Sequence, residues 1–178
     1  MILRPAVAAD APAIAAIYAH HVLHGTGTFE EVPPTDGQME QRIASTQAFG
    51  LPWLVAEDGG AVLAYAYAAP FRQRAAYRYT AEDSVYVAPR AERRGLGRAL
   101  LSKVIEDCAA LGLRRMTAVI GDSANAASIG LHTALGFKPA GVLPAIGFKA
   151  GRWLDVVMME RPLNGGSDRP PSGSGLTL

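Results

Sequence analysis

The chain has 178 residues, 49% of them hydrophobic and 19% charged, which suits one soluble domain with a substantial core. A net charge of +1 argues against a general nucleic-acid binder, and the apolar runs are too short to cross a bilayer. The only cysteine, Cys108, excludes an internal disulfide and fits a reducing compartment.

Residues 1 to 20 carry Asp10 and Pro12 where a secretory signal would have a basic start and an apolar stretch, so a cytoplasmic protein is expected. After a short apolar start, "DAPAIAAIYAHHV" reads as a helix with Asp10 as N-cap and Ile14, Ile17 and Tyr18 on one face. "HGTGTFEEVPPT" breaks that regularity at Gly25, Gly27, Pro33 and Pro34, and its length marks a loop with a functional part to play. A second helix is expected over Asp36 to Gln47. "PWLVAE" and "AVLAYAYAAP" then form a hairpin around Asp58, Gly59 and Gly60.

The basic, aromatic run "FRQRAAYRYT" leads into the strand "AEDSVYVAP", which Pro89 stops. "RGLGRALLSKVIEDCAALG" is a strongly amphipathic helix with Leu96, Leu100, Leu101, Val104, Ile105 and Cys108 on its apolar face and Gly112 at its end. Cys108 in that row reads as a packed thiol, not a nucleophile. "RRMTAVIG" is a strand, "ANAASIGLHTALG" a shorter helix, and "FKPAGVL" and "RWLDVVMMER" two further strands. The order β-α-α-β-β-β-α-β-α-β-β predicts an α/β chain of the mixed α+β kind, with a mostly antiparallel mixed sheet flanked by helices. One domain is expected over residues 1–163. The Gly-, Ser- and Pro-rich segment 164–178 is expected to be a disordered tail.

The stretch "RGLGRALL" sets two glycines and two arginines at the mouth of a helix, where unpaired N–H groups attract an anion. A P-loop needs G-x-x-x-x-G-K-[ST], and no such string exists here. The dinucleotide fingerprint fails because its third glycine position is Leu100. What is satisfied is R-x-x-G-x-A, with Arg94, Gly97 and Ala99, in which consecutive main-chain N–H groups wrap a pyrophosphate at the end of a strand. Alternation along "AEDSVYV" puts Glu82, Ser84 and Tyr86 on one face and Asp83, Val85 and Val87 on the other. His20, His21 and His24 show no ligand spacing, so no metal site is read.

On "PWLVAE", "AYRYTAEDSVYV", "RGLGRALL", "AVIG", "SIGLHTALGF" and "GFKAGRWLDV", the chain resembles the GNAT superfamily of N-acetyltransferases from Ile2 to about Leu163. Within it, the chain is similar to the bacterial phosphinothricin and methionine sulfoximine N-acetyltransferases. The resemblance implies a GNAT fold, acetyl-CoA as cosubstrate, no metal and a homodimer. It implies cosubstrate contacts from Val85, Tyr86 and Val87, from the turn Arg93, Arg94, Gly95, Leu96, Gly97, Arg98 and Ala99, and from Asn125 and Ser128. Asn125 also suits a helix N-cap.

The resemblance makes Glu82, the glutamate of "TAE", the general base, and His132 a catalytic group. The histidine would serve as a proton donor to the leaving thiolate or as a hydrogen-bonding group that polarises the site. It further places acceptor contacts at Arg72, Arg74 and Tyr77, with Phe29 closing the amine side and Lys149 and Arg152 closing from below or from a second subunit. Two guanidinium groups beside an aromatic wall suit a small amino acid with a carboxylate and a second polar head. A polycationic amine would want an acidic rim, which disfavours polyamines and aminoglycosides. An acetyltransferase for protein N-termini or another small amine, and a non-catalytic acetyl-CoA-binding module, remain as alternatives. A nucleic-acid role for "RAERRGLGR" is weak, because no aromatic platform accompanies it, and no membrane association is expected.

Overall fold

The computed structural model describes residues 1–178. In chain order the elements are β1 (Ile2–Pro5), α1 (Ala11–His24), α2 (Asp36–Ala48), β2 (Trp53–Asp58), β3 (Ala61–Pro70), β4 (Thr80–Val87), α3 (Leu96–Ala110), β5 (Arg115–Gly121), α4 (Ala126–Ala134), β6 (Lys138–Lys149) and β7 (Arg152–Pro162). The strands make one seven-stranded sheet ordered β1-β2-β3-β4-β5-β7-β6. Only β4 and β5 run parallel, so the sheet is mixed and mostly antiparallel, as the element order predicts. No helix is long and apolar enough to cross a membrane.

Local chemistry explains the boundaries. Thr35 opens α2 with a capping box, its hydroxyl accepting from Gln38 N at 3.2 Å while Thr35 N donates to the Gln38 side chain at 2.9 Å. Gly59 and Gly60, both with positive φ, close the β2–β3 hairpin as a two-residue turn. At the end of α3, Gly112 adopts φ 81°, and Leu113 N reaches back to the Cys108 carbonyl at 3.2 Å, which terminates the helix. Leu96, Leu100, Leu101, Val104, Ile105 and Cys108 are all buried along α3. Burial pushes the Cys108 thiol up to about 12, so it stays protonated and inert.

Three expectations change. Asp10 stands at the N-cap position of α1, but its carboxylate turns back to Arg4, at 2.7 and 2.8 Å, and to Val7 N at 2.9 Å. A charged partner outcompetes a helix N–H. Strand β6 runs well past "FKPAGVL" to Lys149, because Pro139 and Pro144 lie on the sheet edge, where a missing N–H costs little and register shifts absorb the irregularity. The segment from Asn164 onward lies against the body of the protein. Arg114 donates to the Gly166 and Arg169 carbonyls at 2.8 and 3.0 Å, Leu176 N donates to Arg78 O at 2.8 Å, and the Leu176 side chain is buried. One apolar anchor is too sparse to register in composition.

The sheet's most consequential irregularity is between β4 and β5. Their pairing runs from Thr80–Arg115 to Asp83–Ala118 and stops there, although β4 continues to Val87 and β5 to Gly121. Beyond Asp83 the two strands part and leave a wedge-shaped opening in the middle of the sheet. Helices α1 and α2 cover one face and α3 and α4 the other, because Tyr86 meets Tyr18 of α1 edge-on at 5.0 Å whereas Asp83 meets His132 of α4.

Candidate active site

The opening leads into a cavity of about 800 Å³. Ala88 N donates to Leu63 O across β3, so alternation turns the main-chain groups of Tyr86 toward β3 and those of Val85 and Val87 toward the opening. There they have no β5 partner, and both main-chain groups of Val85 and the N–H of Val87 are free to pair with an extended ligand. The Val87 carbonyl already accepts from His21 Nε2 at 2.9 Å. Burial lowers the His21 pKa, against the effect of that carbonyl, so the ring is a neutral donor that steadies the strand end. The Tyr86 ring packs on the α1 face, so its contribution to the cavity is its backbone.

Across the cavity stands the first turn of α3. The N–H groups of Leu96, Gly97 and Arg98 have no carbonyl one turn back, while Ala99 N is satisfied by Gly95 O at 3.0 Å. Arg93 with φ 58° and Gly95 with φ 79° alternate left-handed conformation with their neighbours, which gathers successive amides into an anion-binding nest. A left-handed arginine costs about 1–3 kcal/mol, a strain found where a site needs it. A methyl group at Gly97 would lie 3.6 Å from Val85, Val87 and Leu131, so the bare turn sits directly against the strand edge. Arg93, Gly95, Leu96, Gly97 and Arg98 line the cavity. Arg94 and Ala99 do not, because Arg94 is drawn to Asp58 on the β2–β3 turn at 2.8 Å and Ala99 belongs to the helix body.

On the far wall Asn125 accepts from Ser128 N at 3.1 Å and caps α4, and both residues line the cavity. The resemblance implies a cosubstrate contact for Asn125 and its residue type a helix N-cap; the structure shows the cap. These features fit a diphosphate-bearing thioester carrier: an amide nest for the diphosphate, an unpaired strand edge for the amide-bearing arm, and a cavity of about 800 Å³ that both of them line.

Glu82 lies at the last paired rungs of β4, on the face opposite His132. Burial raises its pKa, Arg72 opposes that, and Asp83 adds to it. Arg72 is 3.9 Å from the carboxylate and mostly exposed, with its guanidinium over the Phe71 ring at 4.3 Å. Tyr77 meets Phe71 edge-on at 5.6 Å. The structure brings Arg72 to Glu82, with Tyr77 beside Phe71, outside the wall of the large cavity, whereas Arg74 is exposed in the same loop and makes no ion pair with Glu82.

Phe29 is placed differently from a free lid residue. Its ring occupies the space over Gly121 and Gly147, where a methyl on either glycine would press into it. The loop is latched nearby by Lys149 Nζ donating to Thr28 O at 2.7 Å, by Tyr18 and Thr28 sharing a hydroxyl hydrogen bond at 2.7 Å, and by Glu30 gripped by Arg42 at 2.8 and 3.0 Å. Asp122 joins the same loop to the β6–β7 hairpin, accepting from Thr26 at 3.2 Å and from Arg152 at 2.6 Å.

His132 is buried and bonded to Asp83 at 2.9 Å. Burial alone would lower the histidine's pKa, but the hydrogen bond and charge of Asp83 raise it overall. Asp83 is given only a strand face by the sequence, His21 only a place in a histidine cluster without ligand spacing, and Asp122 no part at all, whereas Thr28 belongs with Phe29 and Glu30 to the loop expected over the amine side. Of the first three only Asp83 had a usable signal, since strand alternation already turned it away from Glu82.

Such a wedge between parallel strands, faced by an amide nest, defines an acyl-carrier-dependent transferase. Residues 16–137, more than half of the chain, match the acetyltransferase (GNAT) family, and the chain belongs to it. It is 56% identical over 162 residues to phosphinothricin N-acetyltransferase of Alcaligenes faecalis, covering 91% of this chain and 82% of the relative. It is 42% identical over 165 residues to the L-methionine sulfoximine/L-methionine sulfone acetyltransferase of Salmonella typhimurium, covering 92% and 95% of the two chains. The crystal structure of a phosphinothricin acetyltransferase from Sinorhizobium meliloti in complex with AcCoA superposes with a TM-score of 0.94 at 48% identity, covering 98% of this chain and 94% of that one.

Proposed function

We propose that the protein acetylates the α-amine of a small glutamate-like amino acid of the phosphinothricin or methionine sulfoximine type, using acetyl-CoA in a ternary complex. The observation that carries this reading is the parting of β4 from β5 beside the amide nest, with a partly buried carboxylate of raised pKa at the last paired rungs. Arg93, Gly95, Leu96, Gly97 and Arg98 would hold the diphosphate, and the edges of Val85 and Val87 the arm of the carrier. Ser128 and Asn125 form the opposite wall. Bound there, acetyl-CoA supplies an acyl group already activated as a thioester, so no protein nucleophile is required.

Glu82 takes a proton from the incoming ammonium, directly or through a water, and its raised pKa makes it a better base than an exposed glutamate. Main-chain N–H groups on the free edge of β4 are placed to hold a carbonyl oxygen as it gains charge. Arg72 and Arg74 take the carboxylate or polar head of the acceptor, with Phe71 and Tyr77 excluding water. Phe29 shapes the amine side from its seat on Gly121 and Gly147. Arg94 acts from outside, tying the turn to Asp58.

We further read the working unit as a homodimer. Strand β6 is a long sheet edge carrying exposed Val142, Leu143, Ile146 and Phe148, with Trp153 alongside on β7, an apolar face of the kind a second copy covers. We read the protein as cytoplasmic, a reading that its single, unpaired Cys108 supports.

A panel of amines assayed for thiol release from acetyl-CoA tests the substrate reading. Phosphinothricin or methionine sulfoximine should turn over well above lysine, spermidine or a peptide. Turnover confined to peptides would replace a small amino acid with a protein N-terminus as the acceptor.

A further inference from the structure

Both ring nitrogens of His132 are committed. Nδ1 lies 2.7 Å from the Ser128 carbonyl oxygen, an atom that can only accept, so Nδ1 carries a hydrogen. Nε2 lies 2.9 Å from Asp83 Oδ2. The two side chains are only 3% and 1% exposed, so water does not compete for either contact. The Phe137 ring stands edge-on to the imidazole at 5.0 Å and blocks rotation on that side. A free general acid or base needs a nitrogen aimed at the reacting atoms, and this ring has none to spare.

The geometry points to Asp83 as a positioning residue that locks His132 in one orientation with a hydrogen on each nitrogen, making it a fixed cation in the cavity wall. The other groups facing the pair do not supply an alternative partner. Cys108 on α3 is held protonated by burial, Ser128 Oγ on α4 is 3.3 Å from the already committed Nδ1, and Glu82 on β4 projects to the opposite face. Asp83 Oδ1 is buried without a hydrogen-bond partner, so the carboxylate's hydrogen bonding is directed to His132 alone. Burial raises the pKa of Asp83, which the His132 hydrogen bond and charge oppose, while the same contact raises His132. Held against its carboxylate, the imidazolium leaves the pair neutral overall and presents a fixed dipole, not a free charge, to negative charge developing in the cavity, without having to release a proton. That catalytic consequence rests on the acetyltransferase reading above, whereas the ring lock itself does not.

Nitrogen-resolved NMR of the ligand-free protein reads the lock directly. Both His132 nitrogens should report bound hydrogen across about pH 6 to 8, the range where an ordinary histidine loses its charge. In Asp83→Asn the ring should become neutral within that range, with one bare nitrogen. A wild-type ring with a bare nitrogen at neutral pH overturns the proposal, and that spectrum decides even where Asp83→Asn does not fold.

Kinetics then separate a positioning role from a merely structural one. Asp83→Asn and His132→Asn should each lower kcat by about tenfold, within the coupling that contacting residues show, and leave KM for acetyl-CoA nearly unchanged. The double variant should be no slower than His132→Asn alone. Full additivity of the two losses would mean that Asp83 does not act through His132. Wild-type protein that binds no acetyl-CoA would sink the acetyltransferase reading, while the NMR result would still stand or fall by itself.

Discussion

Replacing Glu82 with glutamine should lower kcat by roughly 10²- to 10⁴-fold, the usual contribution of a positioned general base, with acetyl-CoA affinity intact. The amide keeps the size of the carboxylate but loses its charge toward Arg72 and cannot accept the ammonium proton. The same variant carries a stability signature whose sign follows from the raised pKa of Glu82. A carboxyl whose folded pKa lies above its unfolded value contributes stability fully below the unfolded value and loses it as pH rises through the folded one. Wild-type protein is therefore penalised above that range, and Glu82→Gln is not. Its Tm should rise relative to wild type at pH values above the ordinary carboxylate range and match it well below. Activity traded for stability in this way marks a functional group. Unchanged turnover in Glu82→Gln would remove the residue from the mechanism.

Gly121→Ala should be the most damaging methyl addition near the site. The new Cβ would fall inside contact distance of the Thr26 carbonyl oxygen and lie 3.0 Å from the Phe29 ring. The first of these is backbone, so the α1–α2 loop has to move. Forcing an extra carbon into a closed contact costs about 1–3 kcal/mol, or a Tm lowered by roughly 2–4 °C for each kcal/mol in a domain of this size. Because the displaced loop carries Thr26 and Gly27 on the wall of the large cavity as well as Thr28, Phe29 and Glu30, KM should rise for both acetyl-CoA and the acceptor. Gly130→Ala, on α4 with nothing within 4 Å of its Cβ, is the control and should be neutral or mildly stabilising. Equal melting of the two variants would show that the loop does not press on Gly121.

What the sequence made legible follows from the range of each interaction. The helix at Leu96–Ala110 announces itself through apolar spacing and a terminal glycine, both local, and the hairpin at Gly59 and Gly60 does so through turn chemistry. The nest at Arg93 to Arg98 is similarly local, which is why its residues could be chosen before any fold was known. The His132–Asp83 pair spans 49 positions and exists only because α4 packs on the face of β4 that Asp83 occupies. Alternation supplied the face of Asp83, but nothing in the chain supplied its partner. Phe29 is expected over the amine side, but its seat could not be read, because Gly121 and Gly147 come from two distant strands. Arg94 belongs to the motif by position, but that its side chain is held by a carboxylate on the neighbouring hairpin is not written in the motif.

Everything in the account depends on the amides at the mouth of α3 holding the carrier's diphosphate, and calorimetry of acetyl-CoA against wild type and Gly97→Asp tests this most directly. An aspartate in the first turn suits the helix dipole, so the variant should fold, yet it places a negative charge where the diphosphate must lie. Wild type should bind one acetyl-CoA per chain and Gly97→Asp should lose most of that affinity. No heat of binding in wild type, or undiminished binding in the variant, would contradict the account.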